Sequence, residues 1–331
     1  MRTVDRLTTG RYGIPSILLM ENAANAVARV VIEKLGGSVV DKEVIVLCGM
    51  GNNGGDGAAI ARLLADAGAA VCIEIFGTVA ETSGDARTNF DRLPSLAGIT
   101  VKEMRAELDD HGVSEWMARS DYDYADVIVD ALFGTGLNRP LGEFYAEQAD
   151  VLDRWKTRYG RPLLISVDIP SGLSADACQL IGPCFRADLT VTFTAPKAGN
   201  VLPGPAGFNG ELVIVDIGSP LALIEEQSSQ LFSTDREDVV EWFAASRFAE
   251  SSYKNKRGHT LVIAGSENYS GAAVLAGNAA MRSGVGLVTV ATPRSSKDSV
   301  AARVLPEVMV RGVSETEKGS ISESAFDELG D

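Results

Sequence analysis

The sequence predicts an α/β fold: a three-layer α/β/α, Rossmann-like parallel sheet, followed by a second, incomplete α/β domain. Three observations predict it. Short apolar runs alternate with helical patterns, as in βαβ units. Several of those runs end in a polar, glycine-containing loop. The composition is 45% hydrophobic but only 6% aromatic, which suits packed layers of Val, Ile, Leu and Ala.

Ser16 to Lys34 reads as a helix with Leu18, Leu19, Ala23, Ala26, Val27, Val30 and Val31 on one side. Val44–Cys48 is the first strand and Ala58–Ala67 its helix, with the run GNNGGDG between them. Ala70–Phe76 is a second strand. The polar stretch from Gly84 to Met117 resists division. Val127–Val129, closed by Asp130, and Leu163–Val167, closed by Asp168, are further strands. Leu189–Phe193 and Glu211–Val215 come next. The expected division is residues 1–222 as one domain, 223–250 as a polar, acidic linker, and 251–331 as a second α/β unit. In that unit Thr260–Ala264 and Gly286–Ala291 are strands flanking the helix Ala272–Met281. Its length is short for a complete doubly wound fold.

The formal charge of −15 disfavours non-specific binding to nucleic acid or an anionic membrane. No apolar run approaches the length of a membrane helix, and no signal-peptide pattern opens the chain. Cys48, Cys72, Cys178 and Cys184 form no C-x-x-C pair, so free thiols in a reducing, cytoplasmic setting are expected. With His111 and His259 the only histidines, a zinc site or a Ser-His-Asp triad has few possible members.

Ligands of open parallel sheets bind beyond the carboxyl ends of the strands, where Asn52, Asn53, Asp56, Asp130, Asp168 and Ser171 can converge. Gly49–Gly54 fits the dinucleotide pattern G-x-G-x-x-G, and the next helix offers unpaired N–H groups to a phosphate. A hydride-transfer site needs an acidic residue about 20 positions on, at the end of the second strand. Glu74 has that spacing but falls inside the strand. Asp56 places a carboxylate where pyrophosphate would sit, so it either caps the helix or contacts a ligand. Asn53, Asp130 and Ser171 form an oxygen-only donor set suited to Mg²⁺, Ca²⁺ or an alkali cation, and one carboxylate favours a monovalent ion. A hydrogen-bonded cluster without an ion is the alternative. Gly134-Thr-Gly136 is a loop able to wrap an anion. Asp168 is the candidate acid/base. Lys197 reads as a surface or phosphate-contacting lysine, or as a second acid/base.

Four motifs together, GNNGGDG, VDALFGTGL, SVDIPSGL and TFTAPKAG, resemble the NAD(P)H-hydrate epimerase family of the YjeF N-terminal type. YGIPSILLMENAANA resembles its early helix, and the likeness spans roughly residues 1–220. The segment His259–Pro293, with Leu305-Pro-Glu307, resembles the start of an ADP-dependent NAD(P)H-hydrate dehydratase, which implies an incomplete ribokinase-like domain. The resemblance implies an isomerase that interconverts R and S hydrated NAD(P)H (NADHX, NADPHX), fused to a lyase that restores NAD(P)H from the S form with ADP or ATP. Asn52, Asn53, Gly54, Gly55 and Asp56 would contact the substrate, as would Gly134, Thr135, Gly136, Leu137, Asn138, Arg139 and Pro140. Asp168 would be a further contact, and Asn53, Asp130 and Ser171 the ligands of a potassium ion. A homo-oligomer is expected. Nothing after Val310 resembles the dehydratase nucleotide loop, so ADP use and dehydration are expected only when a complete domain is supplied. An NAD-dependent dehydrogenase and a non-catalytic ligand-binding module of the same fold are the competing readings.

Overall fold

The computed structural model describes residues 1–93, 98–104, 122, 124–159, 162–177, 179–228 and 231–330. Cys178 and His111, and much of the stretch from Gly84 to Met117, lie outside them. The chain divides into two compact units, Met1–Leu231 and Phe232–Asp331.

In the first unit, α1 (Arg2–Tyr12) and α2 (Ser16–Lys34) precede β1 (Glu43–Cys48), α3 (Asn52–Asp66) and β2 (Ala70–Phe76). Then come α4 (Gly84–Asp91), β3 (Ile99–Met104), β4 (Val127–Ala131), α5 (Glu143–Tyr159) and β5 (Leu163–Val167). β6 (Leu189–Phe193), α6 (Ala198–Val201), β7 (Glu211–Val215) and α7 (Leu221–Glu225) complete it. The seven strands pair in the order β3-β2-β1-β4-β5-β6-β7, every pair parallel.

The continuous apolar runs arise from burial on both faces. Val44, Val46 and Cys48 face one core, with Val27 and Val31 of α2 and Ile60 and Leu64 of α3. Ile45 and Leu47 face the other, with Phe144 and Leu152 of α5. Each fully buried Ile or Leu contributes about 1.5–3 kcal/mol. β3 is the strand that the polar stretch concealed. It sits on the sheet edge, pairs only with β2, and buries none of its residues fully, so its apolar alternation is weak.

Two boundaries differ from those expected of the sequence in ways that matter to the site. α3 begins at Asn52, so most of GNNGGDG is helix and not loop. Asp130 lies within β4 and not after it, opposite Leu47 of β1 and Ser166 of β5.

The second unit holds α8 (Arg236–Ala245), within the stretch expected to be a linker, and a parallel sheet in the order β10-β9-β8. The strands are β8 (His259–Ile263), β9 (Leu287–Pro293) and β10 (Val308–Val313). α9 (Gly271–Arg282) sets Ala273 into a core with Val288, Val290, Val300 and Val308. No described helix in either unit is long and apolar enough to cross a membrane. Cys48, Cys72 and Cys184 carry free thiols.

Candidate active site

Strand order reverses between β1 and β4, and that is where a parallel sheet opens a crevice beyond its carboxyl ends. A cavity of about 750 Å³ lies there, a size that suits a cofactor-like ligand. Much of its lining comes from the segments just past the strand ends: Met50–Asn53 and Asp56 after β1, Leu132–Arg139 after β4, Asp168 after β5, and Phe193 and Lys197 at and after β6; α1 and α2 add Asp5, Leu19 and Met20 among others. Of the residues expected to contact substrate, Gly54, Gly55 and Pro140 are not in that lining.

The glycines of GNNGGDG work mostly in packing. A Cβ on Gly54 would stand 1.8 Å from the Gly49 carbonyl oxygen, and one on Gly55 2.6 Å from the Ala86 Cα. One on Gly57 would meet the Cys48 Sγ and the Ala131 Cβ, both at 2.7 Å. These contacts let α3 lie directly on the sheet and hold its N-terminus at the cavity. Only Gly51, the N-cap, faces open space, and no side chain caps the helix. The capping role considered for Asp56 is therefore corrected: Asp56 is the fifth helical residue and lines the cavity. The free amides of Gly51, Asn52 and Asn53 remain an anion-binding end.

Asp168 comes directly after β5 with φ 67°, a left-handed backbone that an aspartate tolerates but rarely adopts. Its amide donates to the Val191 carbonyl at 2.7 Å, which ties the strained residue to β6. Its Oδ1 accepts from the Lys197 ammonium, from the Thr192 hydroxyl at 3.2 Å and from the Phe193 amide at 3.3 Å. Lys197 is not a surface residue. It is 7% exposed, and its Nζ also donates to Thr192 Oγ1 at 2.9 Å and to the Phe193 carbonyl at 3.0 Å. Thr194, also at φ 67°, makes the turn that folds the lysine back onto the strand end. Asn200 then fixes Lys197 by accepting its backbone N–H at 2.8 Å.

Asp130 and Ser171 do not line the cavity. Both are fully buried beside it. Asp130 Oδ2 accepts from Ser166 Oγ and the Ser171 amide, each at 2.8 Å, and Oδ1 accepts from Ser171 Oγ at 2.5 Å. Burial raises the Asp130 pKa, and these hydrogen bonds oppose the rise. Ser171 Oγ also accepts the Phe133 amide at 3.0 Å, linking the cluster to the loop after β4. In that loop a Cβ on Gly134 would stand 3.2 Å from Asn53 Oδ1. Asn53 is 9% exposed, and its buried Nδ2 has no hydrogen-bond partner.

Two further carboxylates share the cavity. Burial, then the charges of Asp168 and Asp5, holds the Asp56 pKa well above the usual carboxylate range. Asp5 of α1, which the sequence motifs do not single out, also has a raised pKa, mainly from burial. Its only local signal is its place beside Val4 and Thr8, which are buried one helical turn apart. Glu74, by contrast, is 2% exposed inside β2 and accepts from the Tyr122 hydroxyl at 2.7 Å. It cannot hold a ribose at this cavity, which removes the residue a dehydrogenase would need.

Residues 16–199 match the family model described as YjeF-related protein N-terminus, and residues 260–327 match that described as NAD(P)H-hydrate dehydratase. A protein of Moorella thermoacetica named bifunctional NAD(P)H-hydrate repair enzyme Nnr is 36% identical, over 99% of this chain and 59% of that protein. A protein of Rhodopirellula baltica named NAD(P)H-hydrate epimerase is 36% identical, over 69% of this chain and 86% of that protein. The crystal structure of yeast ynu0 has the same fold, with a TM-score of 0.54 and 23% identity, over 72% of this chain and 94% of that one. The chain thus spans less than two thirds of the bifunctional relative's length and most of the epimerase's. More than half of its residues fall within the first family model, and the chain belongs to the YjeF N-terminal family, that of the NAD(P)H-hydrate epimerases.

Proposed function

We propose that the first unit epimerises hydrated NAD(P)H, with Asp168 as the acid/base that moves a proton to and from the C6 oxygen. The observation that carries this is the Asp168–Lys197 pair at the wall of a cavity sized for such a ligand. The ring nitrogen's lone pair expels the C6 hydroxyl once that oxygen is protonated, and water returns to the planar cation. Lys197, with Thr192 and the Phe193 amide, holds the carboxylate in one orientation, and the resulting preorganisation lowers the cost of each proton transfer. The N-terminal amides of α3 and the loop Gly134–Arg139 are the parts of the wall suited to the phosphates.

The residues proposed for potassium fit a weakly charged cation. Asn53, Asp130 and Ser171 supply two neutral oxygens and one carboxylate, all on buried residues, a hard donor set of low charge. Such an ion would offset negative charge beside the anionic substrate and brace the loop after β4. The second unit belongs to this reading as part of a dehydratase that uses ADP or ATP. Free thiols on the three described cysteines agree with a reducing, cytoplasmic setting. The test is chromatographic conversion of one purified epimer into the other. A folded, pure chain that binds the hydrate without converting it would favour the non-catalytic reading.

A further inference from the structure

We propose that Asp5 is a second acid/base of this epimerisation, acting on the ring face that Asp168 does not reach. The assignment rests on the epimerase function proposed for the first unit. The two epimers carry their C6 hydroxyls on opposite faces of the ring. Each hydroxyl leaves as water only if a proton reaches it on its own face.

Asp168 is held to one face. Its Oδ1 is occupied by Lys197, Thr192 and the Phe193 amide, and its backbone is tied to Val191. Swinging the carboxylate across the ring would break those contacts. Asp5 enters the same cavity from a different element. α1 is seated by buried Val4 and Thr8 and by the ion pair of Arg11 with Glu226 at 2.6 Å. Among the described residues the Asp5 carboxylate has no hydrogen-bond or ion-pair partner, so it is free to meet a substrate oxygen. It lies near enough to the Met1 ammonium, to Asp168 and to Lys197 to feel all three charges. Asp56 is the third carboxyl of this space. Asp56 stands on α3, and burial with the charges of Asp168 and Asp5 raises its pKa, which suits a hydrogen-bond donor better than a group that cycles.

Atoms and electrons balance in each step. The carboxylic acid on one face gives its proton to the C6 hydroxyl. The C6–O bond breaks and its electron pair leaves with water, while the nitrogen lone pair forms a C6–N double bond. Water adds to the other face, the double-bond pair returns to nitrogen, and the second carboxylate takes the released proton. One proton has passed from one carboxyl to the other without any redox change, and exchange with solvent resets the pair.

The experiment tracks each purified epimer in heavy-oxygen water, reading conversion by chromatography and label uptake by mass spectrometry. Asp5→Asn is expected to slow epimerisation at least about 100-fold with KM changed less than about threefold. It should keep label exchange into one epimer, through Asp168 acting on its own face. Asp168→Asn should show the reciprocal pattern, with exchange into the other epimer. Asp5→Ala with added formate is expected to regain conversion, a rescue that a purely structural role would not give. The assignment falls if Asp5→Asn epimerises at the wild-type rate. It also falls if the folded variant loses exchange into both epimers alike, if formate gives no rescue, or if Asp56→Asn shows the one-face pattern instead. A wild-type chain that neither converts nor labels either epimer overturns the epimerase function itself, and the Asp5 role with it.

Discussion

Lys197 places its ammonium on the Asp168 carboxylate, with only 5% and 14% of the two side chains exposed. β6 and the turn at Thr194 separate the two in sequence, so this contact belongs to the fold and not to a local motif. Lys197→Met would keep the bulk and remove the charge. Asp168 would be left with two neutral donors, which should cost about 2–3 kcal/mol in urea unfolding and most of the activity. Lys197→Arg should not restore activity, because a planar guanidinium cannot meet Asp168, Thr192 and the Phe193 carbonyl in the directions an ammonium does.

The glycines of GNNGGDG and its flank should separate sharply. Gly54→Ala puts a Cβ 1.8 Å from a backbone oxygen and should cost at least about 3 kcal/mol. Gly51→Ala meets nothing within 4 Å and should leave the melting temperature nearly unchanged. Equal melting temperatures for the two variants would contradict the packing role assigned to Gly54.

Asp56 makes stability depend on pH with a definite sign. Its folded pKa lies above its unfolded one, so the native state binds more protons between the two values. Its contribution therefore lowers stability as pH rises through that window, by about 1.4 kcal/mol per pH unit. Asp56→Asn should raise the melting temperature at about pH 8 and give no gain near pH 3, below both values. A gain that is the same at both pH values would contradict this.

Asp130 should link ion binding to folding. Asp130→Asn leaves the Ser166 and Ser171 donors poorly matched and should cost about 2–4 kcal/mol. The wild type should melt higher in potassium chloride than in choline chloride of equal strength, and the variant should not. An equal potassium effect in both would remove Asp130 from the ion's ligands.

Much of the sheet was legible because parallel strands buried on both faces are written as short apolar runs. β2, β5, β6 and β7 begin and end where those runs do. β3 was not legible, since an edge strand buries too little to need a clear pattern. The start of α3 was hidden for the opposite reason. Its Asn and Gly residues suit a loop locally, but close packing on Gly49, Ala86 and Cys48 selects a helix. Asp168 was legible as the polar end of an apolar run. Its partner Lys197 was not, because the pairing of β5 with β6 and the left-handed turns at Asp168 and Thr194 bring the pair together. Asp5 was hidden too, since one acid in a short N-terminal helix carries no local sign of the cavity it faces.

The epimerase assignment is tested most sharply by the rate at which purified protein converts R into S hydrated NADPH, read by chromatography, for the wild type and for Asp168→Asn. Rapid equilibration by the wild type is expected, with a fall of at least about 100-fold in the folded variant. Wild-type rates in a folded Asp168→Asn protein, or no conversion by the wild type above the spontaneous rate, would contradict it.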